Sequence, residues 1–551
     1  LEGESKGAAM GRKTRKLIGG LGLVAILSIA GCGGGGADAS LSSEGGTGIT
    51  NIFNSPAEMG VGDIMPIEFI EFDEVVVDFD GVSSSSEFIL VLGNTAQGGV
   101  GSSISTATSM SAPVDLPETD KGLYEEPDLS AQEVLSHWMR AVEMDFSVNE
   151  PMPEMAAYPN SSKAMMGSGA SKAVGVGDTR TFRMLNSLSS TTSFTEVRGE
   201  VACIGSNIIM YVDSPRISEL SNDAINELCN NFDSDLSYEM SLYGELSDVD
   251  SNGKLVVFST TQVNELGSFG GGIITGYFYA GDLYARSDSN PVSNYGEVIY
   301  TMVPDPSGRW GVAVSNVFAM ENLMPAVLVH EAQHAISYNQ HVFVQGGSAE
   351  EPWLNEALSH FTEDIMGLGR ENPSRVAMYL ASPSVTGLVT SGSPNLLERG
   401  ASYLFMRFLY EQSGNSTQFL RNLYTSNLTG VDNLESAFGG ESGFAVFSQF
   451  MARWSVALAV TNRGLTQDAR YTYSARTEDP DTGNWEGVCL MCDAEDGRGT
   501  MLEGVSLTPF LGYHSVALDS SALNFFEITT IPQEITFNGG QNDFGVLIRS
   551  N

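Results

Sequence analysis

The stretch "LVHEAQHAISYNQH", Leu328 to His341, holds three of the six histidines in a chain of 551 residues. His330 and His334 stand four apart, with Glu331 beside the first. On a helix, residues i and i+4 share a face, so both imidazoles present themselves to one point. Imidazoles placed that way grip one zinc ion at about 2.0–2.1 Å per bond. Glu331 lies about a quarter-turn round, close enough to reach a water on the ion but not to ligate it. That is where a general base belongs. Zinc lowers the pKa of its water to around 7, and a carboxylate there takes the proton, which suits peptide hydrolysis. The alternative is two solvent-facing histidines on an ordinary helix. The apolar "AVLV" before the motif argues against it, because this helix enters a core.

Zinc needs a third protein ligand. "EEPWLNEALSHFTED" begins 16 residues after His334. Pro352 opens a helix there, and Glu356 falls in its first turn. His-Glu-x-x-His followed by "WLNEALSHFTE" resembles the glutamate-zincin clan, which includes thermolysin and the membrane-alanyl-type aminopeptidases. The resemblance implies that Glu356, of the pair Asn355-Glu356, binds the zinc. It also implies an acidic supporting group farther along the same helix, which maps onto Glu363. Where the thermolysin branch has an aspartate four after the ligand, this chain has His360. The aminopeptidase branch carries Gly-x-Met-Glu-Asn before its zinc helix to grip a free amine. This chain has "SFGGGIITGYF" instead, which favours an endopeptidase over an aminopeptidase.

A narrower likeness runs through "LVLGN", "DVDSNGKLVVFST", "GYFYAGDLY", "SNYGEVIYTMVPDP" and the two zinc segments, in that order. It resembles the hyicolysin family of secreted bacterial metalloendopeptidases, covering roughly residues 200 to 425 well. The implied fold is α+β, a zincin-like metallopeptidase domain with a small sheet and a helical subdomain. A peptidase of this clan also needs a donor for the oxyanion. Tyr403, 47 residues after Glu356, is the first choice, with His360 and His514 as rivals. Each also reads as an ordinary core side chain. An inactive zincin-fold surface-binding protein is the competing class. Intact His330, Glu331, His334 and Glu356 speak against it.

Asp248, Asp250, Asn252 and Gly253, in "DVDSNG", resemble the front of a calcium loop, with oxygen ligands at alternate positions and a glycine turn. The acidic residue expected at the twelfth position is missing, and Ser259 stands there. The competing reading is a polar turn feeding a strand.

Charge narrows the partners. The chain has 27 basic and 68 acidic residues, a net of −41. Such a surface repels phosphate backbones and anionic headgroups, so nucleic acid is excluded as a partner. A protein or peptide substrate is expected, with a membrane reached only through an anchor. The N-terminus reads as a signal peptide over residues 1–31, with its start at Met10, a basic "GRKTRK" and an apolar run too short to span. "SIAGC" resembles a lipobox, so Cys32 becomes a lipidated first residue on a flexible tether, 32–50. An exported lipoprotein of the bacterial cell envelope follows.

Export permits disulfides. Cys203 with Cys229, and Cys489 with Cys492, is the favoured pairing. "CLMC" read as half of a zinc site lacks a good second half. The expected division is a β-rich N-terminal domain with an inserted helix and disordered loops over 51–212, the zinc metallopeptidase domain over 213–470, and a C-terminal β appendage over 471–551. In "LSAQEVLSHWMRAVEMD", Val134, Trp138, Ala141 and Val142 mark the expected buried stripe.

Overall fold

The computed structural model describes residue 49 and residues 53–69, 74–98, 101–108, 129–153, 174–213 (save 189 and 191), 221–269, 272–439, 446–478, 480, 485–492 and 501–551. Met10, Cys32 and the expected signal peptide lie outside the described residues. So does all of the tether but residue 49.

The chain begins with strands β1 (Ile64–Glu68), β2 (Val75–Asp78), β3 (Phe88–Asn94) and β4 (Ser102–Thr108), then helix α1 (Ala131–Asn149). Next come β5 (Thr179–Leu185), β6 (Phe194–Ile204), β7 (Ile208–Asp213), α2 (Asn222–Tyr243), β8 (Leu255–Ser259), α3 (Thr261–Phe269), β9 (Gly276–Phe278) and β10 (Val298–Thr301). A helical stretch follows: α4 (Asn316–Phe318), α5 (Met324–Tyr338), α6 (Pro352–Ile365), α7 (Asn372–Ala381), α8 (Leu396–Gln412), α9 (Thr417–Tyr424), α10 (Gly430–Phe438) and α11 (Phe447–Val460). The chain ends on β11 (Thr477–Glu478), β12 (Trp485–Glu486), β13 (Thr508–Pro509), β14 (His514–Leu518), β15 (Leu523–Ile528), β16 (Glu534–Asn538) and β17 (Asp543–Arg549). The architecture is mixed α+β.

Strand pairing does not follow the expected division. A six-stranded sheet has the order β5-β6-β7-β8-β10-β9, so the boundary expected between 212 and 213 falls inside one sheet. β7, β8 and β10 run parallel, and β9 closes the edge antiparallel to β10. The C-terminal strands are not an appendage either. β1-β17-β3-β15-β13 form one sheet and β14-β4-β16-β2 another, so both chain ends weave together. β4 lies in a stretch whose serines and threonines read as loop. It is a strand because β14 and β16 flank it.

The run "FILVL" in β3 shows why an unbroken apolar strand fits here. Phe88, Leu90 and Leu92 pack into the core between these two sheets. Ile89 and Val91, pointing the other way, join the core built on the helices, where α11 lies against β3. Both faces are covered, so the alternation of a half-exposed strand disappears.

The helix expected around residues 129–145 is α1, opened by a reciprocal capping box between Ser130 and Glu133. Its buried face is not the expected one. Ala141 is exposed, while Leu135, Met139, Val142 and Phe146 are buried together with Glu133, Arg140 and Glu143. Counting only apolar residues missed a stripe that includes charges. Cys203 of β6 is bonded to Cys229 of α2, and Cys489 to Cys492.

Glu239 on α2 is fully buried, and neither carboxylate oxygen has a hydrogen-bond partner. Burial, reinforced by Asp235, holds its carboxyl well above the ordinary range. The folded state therefore binds this proton more tightly than the unfolded chain does. Stability is lost as pH rises from the ordinary carboxylate value toward the folded one. Glu239→Gln should remove that loss, so its advantage over the parent should be larger at pH 8 than at pH 5 in urea unfolding. Glu239→Leu should gain about 1–3 kcal/mol at pH 8.

Candidate metal centre

α5 is buried along nearly its whole length, and α6 packs beside it. Pro325 sits in the first turn of α5, directly after the wider turn that joins it to α4. Wider π-type turns, Ala319–Leu323 and Asn339–Val344, flank the helix at both ends. His330 and His334 project from α5 toward Glu356 of α6. His330 Nε2 lies 3.5 Å from Glu356 Oε2, and His334 Nε2 lies 3.7 Å from Glu356 Oε1. Ligands bound tetrahedrally at about 2.0–2.1 Å stand about 3.4 Å apart, so the spacing fits one zinc ion.

The other ring nitrogens face away and are held. His330 Nδ1 is 2.8 Å from Glu363 Oε1, and His334 Nδ1 is 3.1 Å from Asn355 Oδ1. On binding a metal each ring would keep the proton on Nδ1 and offer the lone pair of Nε2. Ser359 Oγ lies 3.2 Å from His334 Nε2, but its hydroxyl donates to Gln333, so it does not use that lone pair. Glu356 Oε2 is buried and meets the guanidinium of Arg399 as well as the His330 ring. His330, His360 and Glu363 also cluster closely enough for an ion. There, however, Glu363 Oε1 sits at direct hydrogen-bond distance from both rings, 2.8 and 3.1 Å, and Arg399 Nη1 approaches His360 Nε2 at 3.5 Å. Arg399 does not separate the two sets, since the same nitrogen lies 2.6 Å from Glu356 Oε2; the engaged Glu363 oxygen does. The first set is the metal candidate.

Glu331 is buried, and its Oε2 accepts the backbone N–H of Phe278, on edge strand β9, at 2.8 Å. Burial pushes its carboxyl up, and Glu356 adds to this. Glu356 is held well below the ordinary range. Burial opposes this, but Arg399 and the two imidazoles outweigh it. His330 and His334 both face Glu356 yet shift in opposite directions. Burial would lower His330, but hydrogen bonds to Glu356 and Glu363 hold it up at about 9. Burial and the charge of Arg140 lower His334. Burial also lowers His360 to about 3.

Three further residues reach the site that the sequence did not single out. Arg399 Nη1 lies 2.6 Å from Glu356 Oε2. Arg140 of α1 pairs with Glu143 at 3.0 Å, and its Nε lies 3.8 Å from Glu356 Oε1. Glu143 accepts from Asn355 Nδ2 at 3.3 Å, extending the support behind His334, and burial raises its carboxyl to about 8. α1 also covers the edge of the sheet. Gln132 accepts from the N–H of Thr275 and donates to the carbonyl of Gly276, and Glu133 accepts the N–H of Leu396 at the start of α8.

The signal for Arg399 was in the spacing of α8. Arg399, Tyr403 and Arg407 repeat every four residues and run alongside Glu356, His360 and Asp364 of α6. Arg407 Nη1 pairs with Asp364 at 2.8 Å, as Arg399 pairs with Glu356. Tyr403 is buried near Asp364 and Arg407. It lines a cavity of about 340 Å³ with Asp364, Arg476 and Trp485, which none of the three metal-ligand residues lines. Arg399 therefore reaches the ligand group where Tyr403 was expected. His514 stands on β14 between Phe510 and Phe526 and accepts the N–H of Leu511. His341, the third histidine of the opening stretch, lies 3.7 Å from Glu350 and is not in the triad.

No protein-family model matches the chain, and a search of curated proteins finds no match either.

Glu363→Ala should free the His330 ring and weaken zinc retention about 10–100-fold. Equilibrium dialysis against a competing chelator measures it. Unchanged retention would mean that Glu363 does not orient the ligand.

Proposed function

We propose that the chain is a zinc metalloendopeptidase of the glutamate-zincin kind, resembling the hyicolysin family. One observation carries the reading. Two imidazole Nε2 atoms converge on the carboxylate of Glu356, each anchored through its Nδ1, with Glu331 fixed beside them. The sheet with its antiparallel edge strand next to Glu331, and paired helices carrying the ligands, supports a zincin-like fold.

His330, His334 and Glu356 hold the zinc. When bound, zinc supplies Lewis acidity: it polarises a carbonyl and acidifies water. Glu331 is the proton carrier. The N–H of Phe278 fixes its Oε2, which leaves Oε1 to take a proton from water and pass it to the leaving amine. Burial favours the protonated carboxyl and so helps it hold that proton between the two steps.

Arg140 Nη1 and Arg399 Nη2 are buried without hydrogen-bond partners. Both side chains reach Glu356, and these free N–H groups are the proposed donors for an oxyanion developing at the scissile carbonyl. The absent amine-gripping signature favours cleavage within chains over removal of N-terminal residues. No helix among the described residues is long and apolar enough to cross a membrane. Export and anchoring through Cys32 rest on the sequence reading.

Casein hydrolysis by the parent and by Glu331→Gln, each with zinc content recorded, tests this. Glu331→Gln should keep zinc and lose about 10²–10⁴-fold in rate. Glu356→Ala should lose zinc. Chelation should abolish parental activity, and added zinc should restore it. Equal rates for parent and Glu331→Gln would remove the base. Cleavage of single-residue amides but not casein would point to an aminopeptidase.

A further inference from the structure

We infer that Asp248, Asp250 and Glu297 form a calcium site that ties the loop entering β8 to the start of β10. The loop reads Asp-Val-Asp-Ser-Asn-Gly and lacks the acidic residue that usually ends such a motif twelve positions on. Ser259 stands at that position, buried in β8, with its hydroxyl donating to Met302 O. The fold supplies a carboxylate through space instead. β8 and β10 are parallel neighbours, Val256 facing Val298, and the N–H of Val256 donates to Glu297 O. Glu297, just before β10, therefore comes to lie at the loop.

Its carboxylate is only half used. Glu297 is 1% exposed. Oε1 accepts from Ser247 Oγ at 2.6 Å and from the N–H of Val249 at 2.9 Å. Oε2 is buried and has no hydrogen-bond partner. A buried carboxylate oxygen left unpaired is costly, and a cation removes the cost. One oxygen each from Asp248, Asp250 and Glu297 lies within 4.8 Å of the others. Oxygens bound to one calcium at about 2.3–2.6 Å stand at most about 5 Å apart. An all-oxygen set suits this hard cation, whereas the nitrogen-bearing set on α5 and α6 suits zinc.

Nearby positive charge is directed elsewhere. Lys254 Nζ donates to the carbonyls of Gly205 and Ser206, at 2.8 and 2.7 Å. Arg180 acts on Asp250 from a distance while its Nη2 donates to Asn294 O. Gly296 leaves room for the carboxylate, because a Cβ there would lie 2.9 Å from Asp250 Oδ2. The site bears on the proposed chemistry through one chain of contacts. β10 pairs with β9, whose Phe278 N–H holds Glu331. Calcium binding itself does not depend on the peptidase reading.

The test is calcium titration into the full chain, stripped of metals and reloaded with zinc, followed by calorimetry and thermal unfolding. One equivalent of calcium should bind below about 1 mM and raise the midpoint by several degrees. Glu297→Gln should lose the binding and the shift with zinc content unchanged. Asp248→Asn, at an exposed position, should fold normally and bind calcium at least tenfold more weakly. No calcium bound by the parent at millimolar concentration, an equal response to magnesium, or full binding by both variants would overturn the site. Loss of caseinolysis with calcium binding intact would count against the peptidase reading and leave this one standing.

Discussion

The site depends on a single carboxylate. Glu356 projects from the first turns of α6 into the gap that His330 and His334 face from α5, and two guanidiniums reach it as well. All of this is buried, where an unbalanced charge costs several kcal/mol. The surrounding elements are arranged to balance it. Glu363 and Asn355 turn the imidazoles, and Arg399 holds Glu356 ionised. Residues from α1, α5, α6 and α8 meet there, so the centre also fixes how those helices pack.

The sheet contributes through its edge. β9 is short, antiparallel and buried, and its backbone donates to Glu331. The position of that edge is inherited from β10 and β8, which the inferred calcium site would clamp at their starts. α1 then lies over the edge, with Gln132 satisfying backbone groups that another strand would otherwise take. Glu331 is thus aligned by backbone, while His330 and His334 are aligned by side chains.

Much of this was legible along the chain. His330, Glu331, His334 and Glu356 lie in two short helical segments, and the rule that i and i+4 share a face is local. Asn355 and Glu363 came from the resemblance to the glutamate-zincin clan. Cys203 with Cys229, and Cys489 with Cys492, was the favoured one of the three pairings that four cysteines allow. Arg140 and Glu143 were not legible, because a search for apolar periodicity passes over a helix that buries charges. Tyr403 was favoured over His360 and His514 because tyrosine hydroxyls often serve as oxyanion donors, and Arg399, on the same stripe of α8, was not weighed. Spacing alone does not say which turn of that stripe meets Glu356.

The sequence by itself determined the candidate donors, their helical spacing, the α+β character and the acidic composition, since these rest on residue identity and local periodicity. Tertiary structure alone decided that strands from both chain ends interleave, that Arg399 and not Tyr403 meets the ligands, and that Glu297 stands at the Asp248 loop. Each of these joins residues tens to hundreds of positions apart. Such contacts are set by which strands pair and which helix faces are covered, and neither leaves a repeating mark in the chain.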